Sequence, residues 1–241
     1  MAHYELPKRR RIFLMRHGDV TYFDDTGRAI DPESVPLNER GREEASAAGR
    51  EFAAQKIRFD RVIASGLPRT VETVQRVLAE TGQAAEIEIW PEWQEIRGGR
   101  LANLSTSDIE RAFLSVFDGV VPEDTQFLGG ETIGELLDRA LPAMARLRAD
   151  TAWDTVLLVL HGGVNRALLS HAITAGGRAF YGHLSQATGC INALDVGDKS
   201  GDWVVHAINH SPPSPLHAGV RNTTMELLYA QFVRFKASGM N

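Results

Sequence analysis

Two histidines, two arginines and one glutamate follow short apolar runs of the chain. Arg16 and His17 follow such a run in FLMRHGDV, and His161 follows another in LVLHGGVNRALL. Arg69 lies in IASGLPRTVETV, and Glu95 lies in PEWQEIRGG. Arginine offers forked, permanently charged donors that match phosphate oxygens, and neutral imidazole is a capable nucleophile near pH 7. These residue types together suit a site that binds an anion and reacts with it.

The apolar runs are predicted strands of a layered α/β fold. Short apolar runs alternate with longer amphipathic segments, which is typical of strands and helices packed in layers. The strands are predicted at residues 12–15, 61–64, 86–89, 155–160, 191–196 and 203–208. The helices are predicted at residues 38–56, 68–81, 133–148 and 164–174, with a last one at 223–236. The strand TVLLVL has no polar alternation, so we expect it to lie centrally in the sheet with both faces covered.

The predicted architecture is a three-layer α/β sandwich with a mostly parallel central sheet, helices on both faces and a helical lid insertion. We place the lid at residues 97–131, because a connection longer than ~12–15 residues often has such a role. We expect one domain over residues 1–241. Pro142 predicts that the third helix is kinked or shorter than 133–148. The apolar stripe of the last helix favours packing on its own domain over a subunit contact, and a homodimer stays open.

Composition excludes several classes of partner. The chain has 26 Lys and Arg against 31 Asp and Glu, a net charge of −5, so it lacks the broad basic surface that binds nucleic acid without sequence preference. Cys190 is the only cysteine, so no intrachain disulfide can form. No segment approaches the ~18 continuous apolar residues of a membrane span. We therefore expect a cytoplasmic protein with no nucleic-acid or membrane partner, and no carboxylate cluster suggests a metal or cofactor.

The predicted strands should bring the five candidate side chains together. In open parallel sheets, ligands bind at the carboxyl ends of the strands. Anions also favour helix N-termini, which suits Arg69 in a first turn and His161 just before one. Structural alternatives remain, since Arg16 could pair with an acid on a neighbouring loop and Arg69 could be an ordinary cap.

Four pieces of the sequence, in the expected order, resemble the histidine phosphatase superfamily, also called the phosphoglycerate mutase-like family. They are LMRHG, PLNERGREEA, ASGLPRTVETV and VLHGG. The resemblance runs from about residue 12 to residue 210 and implies an α/β fold that handles phosphate monoesters.

The resemblance implies a role for each candidate residue. His17 corresponds to the nucleophile that becomes phosphorylated, and Glu95 to the proton donor of the leaving oxygen. The phosphate-binding groups correspond to Arg16, Arg69 and His161, with Ser65 and the N–H of Gly162 as further candidates. In this chemistry imidazole attacks phosphorus, and a carboxyl group first protonates the leaving oxygen and then activates water. Other acids that could reach the mouth of the site are Glu92, Asp19, Asp24 and Asp25.

Three functions stay open within this resemblance. Hydrolysis of a small phosphorylated metabolite is favoured, because the Glu-Arg-His-Tyr-Gly motif of the mutases is absent. A phosphoglycerate mutase-type phosphotransferase is the first alternative. A non-catalytic phosphate-binding or scaffold protein is the second, since the family asparagine after the first histidine is missing and RGGRLANLS alters the lid. We expect the lid and the loop at residues 22–31 to determine the substrate. A dinucleotide-binding oxidoreductase fits the fold but lacks G-x-G-x-x-G after the first strand.

Overall fold

The computed structural model describes residues 5–23, 30–99 and 106–237. Its strands are β1 (Arg10–Arg16), β2 (Arg61–Ala64), β3 (Ile87–Ile89), β4 (Thr155–Leu160), β5 (Ile191–Val196) and β6 (Trp203–His210). Its helices are α1 (Glu39–Ala54), α2 (Pro68–Thr81), α3 (Thr106–Leu114), α4 (Ile133–Ala149), α5 (Gly162–Ile173) and α6 (Thr224–Ala237). A short 3₁₀ turn, Pro91–Trp93, follows β3.

The six strands form one mixed sheet in the order β3-β2-β4-β1-β5-β6. The pairs β3–β2, β2–β4 and β4–β1 are parallel, and β5 runs antiparallel to both of its neighbours. The strand β4 lies between β2 and β1, which confirms the central position expected for TVLLVL. The carboxyl ends of four strands therefore meet at one edge of the sheet.

Alternating side chains of the central strands enter two separate cores. In β1, Ile12 and Leu14 pack with the core that contains α4 and α5, whereas Phe13 and Met15 pack with the core that contains α1 and α2. β4 divides its side chains between the two cores in the same way. This period of two places a helical layer on each face of the sheet, as expected for a three-layer sandwich.

A third and smaller cluster joins two segments that are distant in sequence. The helix α3, from the predicted insertion, packs against α6 near the C-terminus, and Ile109, Phe113, Val116 and Met225 are buried between them. We call these two helices the α3–α6 pair. The predicted insertion at residues 97–131 also contains residues 100–105, which lie outside the described residues.

The length of α4 corrects one part of the expectation that Pro142 kinks or shortens this helix. Pro142 does not shorten it, because α4 continues through Pro142 to Ala149 and is 17 residues long. Proline removes one backbone N–H from the helical ladder, and here the ring faces solvent, where water can satisfy the carbonyl left unpaired one turn earlier. Thr132 and Glu135 begin the helix with a reciprocal capping box.

A helix that crosses a bilayer must be about 20 residues long and predominantly apolar. Over residues 5–23, 30–99 and 106–237, no helix is both long and apolar enough to span a membrane.

Candidate active site

The five candidate side chains meet at the carboxyl edge of the sheet. Arg16 ends β1 and His17 follows it, while His161 follows β4. Arg69 lies in the first turn of α2, just after β2, and Glu95 follows the turn after β3. The backbone N–H of His17 donates to the carbonyl oxygen of Leu160 at 3.0 Å, so the two histidine segments are joined directly.

A close glycine contact holds the loop that follows His17. A Cβ atom at Gly18 would collide with the carbonyl oxygen of Gly41, and one at Gly41 would collide with the backbone of Asp19. The side chain of Glu44 accepts a hydrogen bond from the Asp19 N–H at 2.9 Å. The segment PLNERGREEA therefore supports the RHG loop, and only glycine fits where the two backbones meet.

The ring of His17 is held through its Nδ1 atom. Its side chain is 1% exposed, and its Nδ1 lies 2.7 Å from the carbonyl oxygen of Gly18. A carbonyl oxygen can only accept, so Nδ1 carries the proton and Nε2 of the neutral ring carries a lone pair. Burial, together with the charges of Arg69 and Arg16, lowers the pKa of His17 well below 6.5. The ring is therefore neutral near pH 7, in the tautomer that a nucleophile requires.

His161 is fully buried beside His17, with ring centroids 5.2 Å apart. Its Nε2 lies 2.7 Å from Oγ of Ser65. Because Thr70 donates its own hydroxyl proton to Leu67, it can accept from Ser65 at 3.2 Å, and Nε2 of His161 then donates to Ser65. Nδ1 of His161 has no hydrogen-bond partner in the described part of the chain. Burial, His17 and the arginines lower the pKa of His161 well below 6.5.

Arg16 and Arg69 are buried at this edge, and the described part of the chain offers them no counter-ion. Arg16 is 7% exposed and Arg69 is 2% exposed. Arg16 Nη1 donates to the carbonyl oxygen of Gln186 at 2.6 Å, and Arg69 Nη1 donates to that of Pro32. Among the described residues, neither Nε has an acceptor and neither side chain pairs with an acid. Unpaired buried guanidinium groups are costly, so the site is built to receive an anion.

The carboxyl group of Glu95 is fixed at the N-terminus of α5. Its Oε1 accepts from the N–H of Gly163 at 3.0 Å and from that of Ile96 at 3.0 Å. A Cβ atom at Gly163 would lie 2.6 Å from this oxygen, so the second glycine of VLHGG makes room for the acid. A Cβ atom at Gly162 would lie 3.5 Å from Nε of Arg16, so the first glycine borders the arginine.

Arg139 on α4 holds the segment that carries Glu95. Its Nη1 donates to the carbonyl oxygens of Glu92 and Gln94 at 2.8 and 2.7 Å, and its Nη2 donates to that of Glu95 at 3.1 Å. Its Nε and Nη2 also pair with both carboxylate oxygens of Glu131, at 2.6 and 2.9 Å. One guanidinium group thus clamps the acid-bearing segment to the helix behind it.

The other candidate acids have different positions. Glu92 pairs with Arg146 at 2.9 Å, and that hydrogen bond lowers the pKa of Glu92. Asp19 accepts a hydrogen bond from the side chain of Asn38 at 2.9 Å. Asp24 and Asp25 lie outside the described residues, as does Arg100 of the lid. Glu95 is therefore the described acid that directly borders the segment of His161.

Several residues at the site carry no recognisable sequence signal. Gln186 and Thr224 contact Arg16 although they lie 170 and 208 residues away from it in the chain. Arg166, buried on α5, donates to the carbonyl oxygen of Gly162 at 3.1 Å. Burial raises the pKa of Tyr22, although the nearby charges of Arg69 and Arg16 oppose this. Only Tyr22 belonged to a segment expected to face the substrate.

The described residues form no cluster of metal ligands. Across the described ranges, no three His, Cys, Asp or Glu side chains stand close enough together to hold a metal ion. The positive charge at the site comes from guanidinium groups.

The fold and this site define an α/β protein with two buried imidazoles and two buried guanidinium groups at the carboxyl ends of its parallel strands. The chain belongs to the histidine phosphatase superfamily (branch 1), whose family model matches residues 12–210. The resemblance stated from the four motifs and the expected fold class are both confirmed.

Curated relatives resemble the sequence, and solved structures share the fold. The chain is 28% identical over 176 residues to a metal-independent phosphoserine phosphatase of Arabidopsis thaliana, covering 68% of this chain and 71% of that protein. It is 26% identical over 165 residues to phosphoglycerate mutase-like protein 4 of the same plant, covering 67% and 70%. A mycobacterial glucosyl-3-phosphoglycerate phosphatase shares its fold with a TM-score of 0.65 and 24% identity, covering 83% of this chain and 99% of the other. The alpha-ribazole phosphatase of Shigella flexneri does so with a TM-score of 0.63 and 22% identity, covering 83% and 96%.

Proposed function

We propose that the protein hydrolyses phosphate monoesters of small metabolites through a phosphohistidine at His17, without a metal ion. One observation carries this proposal. The neutral imidazole of His17, held by a carbonyl oxygen at Nδ1 so that Nε2 carries the lone pair, lies beside buried arginines whose Nε groups have no acceptor among the described residues. The similarity to a metal-independent phosphoserine phosphatase of A. thaliana supports hydrolysis of a phosphate monoester without a metal ion.

Binding places the phosphoryl group among the cationic groups at the sheet edge. A phosphate monoester brings about two negative charges, which Arg16 and Arg69 receive with their Nε groups, for which the described residues offer no acceptor. The same charge favours protonation of His161, whose free Nδ1 then becomes a third donor. Ser65 keeps the ring of His161 in place through its hydrogen bond to Nε2.

In the first chemical step, the Nε2 lone pair of His17 attacks phosphorus. The bond between phosphorus and the leaving oxygen breaks, and that oxygen takes a proton from Glu95. Gly18 holds Nδ1–H during the attack and stabilises the positive ring that results. The products are a phosphohistidine, a free alcohol and a Glu95 carboxylate.

In the second step, water attacks the phosphohistidine. The carboxylate of Glu95 takes a proton from this water, and the phosphorus–nitrogen electron pair returns to Nε2. Inorganic phosphate is released, and neutral His17 and the protonated carboxyl group of Glu95 are restored. The arginines hold the three equatorial oxygens in both steps, a task that metal ions perform in many phosphoryl-transfer enzymes.

The test is a screen of phosphorylated metabolites with the purified, chelator-treated protein. We expect release of inorganic phosphate from at least one alkyl phosphate, with a rate that added chelator leaves unchanged. Loss of turnover with chelator and its return with magnesium or zinc would contradict the proposed mechanism.

The same screen separates the two alternatives. A mutase-type enzyme would interconvert 2- and 3-phosphoglycerate faster than it releases phosphate, especially when primed with bisphosphoglycerate. A non-catalytic phosphate-binding protein would bind inorganic phosphate and release none from any ester. We expect phosphate to accumulate from the start of the reaction, because the acid segment lacks the mutase motif.

A further inference from the structure

The first residue of α6 lies against Arg16. Nη1 of Arg16 donates a hydrogen bond to Oγ1 of Thr224 at 3.2 Å, in addition to its bond to Gln186. α6 lies beyond residues 12–210, so the family model does not include this contact. A segment outside the matched core thus reaches the arginine that the proposed function assigns to the phosphoryl group.

Thr223, and not Thr224, caps the N-terminus of α6. The N–H of Thr223 donates to Oε2 of Glu226 at 2.6 Å, and the N–H of Glu226 donates to Oγ1 of Thr223 at 3.2 Å. This reciprocal arrangement is a capping box, and it fixes the first turn of the helix. The hydroxyl group of Thr224 is therefore not needed to cap the helix.

Packing on α3 fixes the position of α6. The ring of Phe113 lies 5.7 Å from that of Tyr229 and 5.9 Å from that of Phe232, between ring centroids. Met225, the neighbour of Thr224, is buried in the same cluster. Because the buried Met225 is next to Thr224 in the first turn, a shift of Thr224 away from Arg16 would disturb the α3–α6 pair.

The contact with Thr224 leaves another donor of Arg16 for an anion. Thr224 Oγ1 and the carbonyl oxygen of Gln186 both accept from Nη1 of Arg16. Nε of Arg16 is buried and has no acceptor within the described ranges. In the planar guanidinium group the Nε–H bond points away from Nη1, so Nε can donate to a phosphate oxygen while Nη1 stays with Thr224 and Gln186.

We propose that Thr224 is a positioning residue whose hydroxyl oxygen accepts from Nη1 of Arg16 and so helps to aim Nε of Arg16 at the phosphoryl group. The C-terminal helix then takes part in the phosphate site through Arg16. This inference rests on the proposed function, because it assigns Thr224 to the same anion site.

The test measures binding of inorganic phosphate to the full-length protein by calorimetry. Thr224→Val keeps the branched shape and a similar helix propensity but loses the hydroxyl group, whereas Thr224→Ser keeps the hydroxyl group. Since a hydrogen bond to a charged group is worth about tenfold or more in affinity, Thr224→Val should weaken phosphate binding by at least that factor. Thr224→Ser should stay within about threefold of the unchanged protein.

A matched control distinguishes the hydroxyl group from the seating of the helix. Thr223→Ala removes the cap of α6 but leaves the Thr224 hydroxyl group in place, so it should weaken phosphate binding much less than Thr224→Val. Equal losses in these two variants, or unchanged binding in Thr224→Val, would overturn the inference. Unfolding midpoints of all three variants show whether the fold is kept.

The outcomes also separate this inference from the proposed function. If the unchanged protein binds phosphate but hydrolyses no ester, the proposed function is wrong, while a weakened Thr224→Val still supports the role of Thr224. If esters are hydrolysed and Thr224→Val binds phosphate normally, only the inference is wrong. A protein that does not bind phosphate contradicts both.

Discussion

The sheet edge and the α3–α6 pair hold their functional groups in different ways. His17 and His161 follow central strands, are completely or almost completely buried, and are joined through the backbone to the middle of the sheet. In the α3–α6 pair a few buried side chains join two distant segments, and Thr224 contacts Arg16 through one hydroxyl group. The difference teaches that the two histidines are fixed by the core of the sheet, whereas α6 reaches Arg16 through a separate contact outside that core.

The largest expected effect on the sheet edge after loss of the nucleophile comes from Glu95→Gln. This change keeps the shape of the side chain but removes its proton, and general acid catalysis is typically worth about 10²–10⁴-fold. The rate of phosphoenzyme formation should fall by most of this factor for an alkyl phosphate, whose leaving oxygen is strongly basic. It should fall much less for an aryl phosphate with an electron-withdrawing ring.

The measurement is the pre-steady-state burst with both esters. The burst isolates the first step from hydrolysis of the intermediate, which the same carboxylate assists. Equal losses for the two esters would show that Glu95 is not the acid, and Asp19 would be the next side chain to replace.

A smaller effect is expected from Arg139→Lys, which tests how the core positions the acid. Lysine keeps a positive charge for Glu131 but cannot reach three backbone carbonyl groups and a carboxylate with one planar fork. We expect about a tenfold slower burst with the alkyl phosphate and a smaller change with the aryl phosphate. A merely structural role would slow both esters alike.

The pH dependence of stability tests the burial of the two histidines. Their pKa values in the folded protein lie well below 6.5, so below that pH the unfolded chain binds more protons than the folded one. The free energy of unfolding should therefore be greatest above pH 6.5. It should fall as the pH decreases below 6.5, by up to about 1.4 kcal/mol per pH unit for each histidine, until the lowered pKa is passed.

Denaturant titrations between pH 7.5 and 5 measure this slope. The double variant His17→Asn and His161→Asn should lose the part that these rings contribute, while His171, whose pKa burial also lowers, still contributes in both proteins. The same slope in the double variant and the unchanged protein would mean that the two rings are protonated in the folded state.

The smallest effect on catalysis is expected from Phe113→Ala in the α3–α6 pair. Phe113 stacks on α6 in a cluster separate from the two cores of the sheet, so its loss should loosen α6 and the Thr224 contact without moving His17. We expect KM to rise severalfold while the burst rate at saturating substrate changes by less than about twofold. A burst rate that falls as much as in Arg139→Lys would show that the α3–α6 pair also positions the reacting groups.

The same contrast explains what the sequence could predict. The strands β1 and β4 and the residues behind them follow from apolar runs and from motifs that lie within a few residues of one another. The layer architecture follows too, because the runs of β4 and the amphipathic helices leave few other ways to bury their apolar faces.

The remaining contacts depend on the tertiary fold. Thr224, Gln186 and Arg139 reach the site only because distant helices and loops pack beside it, and no spacing in the chain marks them. The early end predicted at Pro142 considered the helix alone, whereas α4 is held by buried residues on both sides of the proline. Tertiary packing there outweighs the local preference.

The central claim is that His17 carries the phosphoryl group between the two steps, and trapping the intermediate tests it most directly. The enzyme is mixed with a labelled phosphate monoester, quenched in denaturant without acid, and analysed by mass spectrometry of its peptides, with His161→Asn as the comparison. We predict the label on His17 in both proteins, with less of it in the variant. Label on His161, or no label while His17→Asn still releases phosphate, would contradict the account.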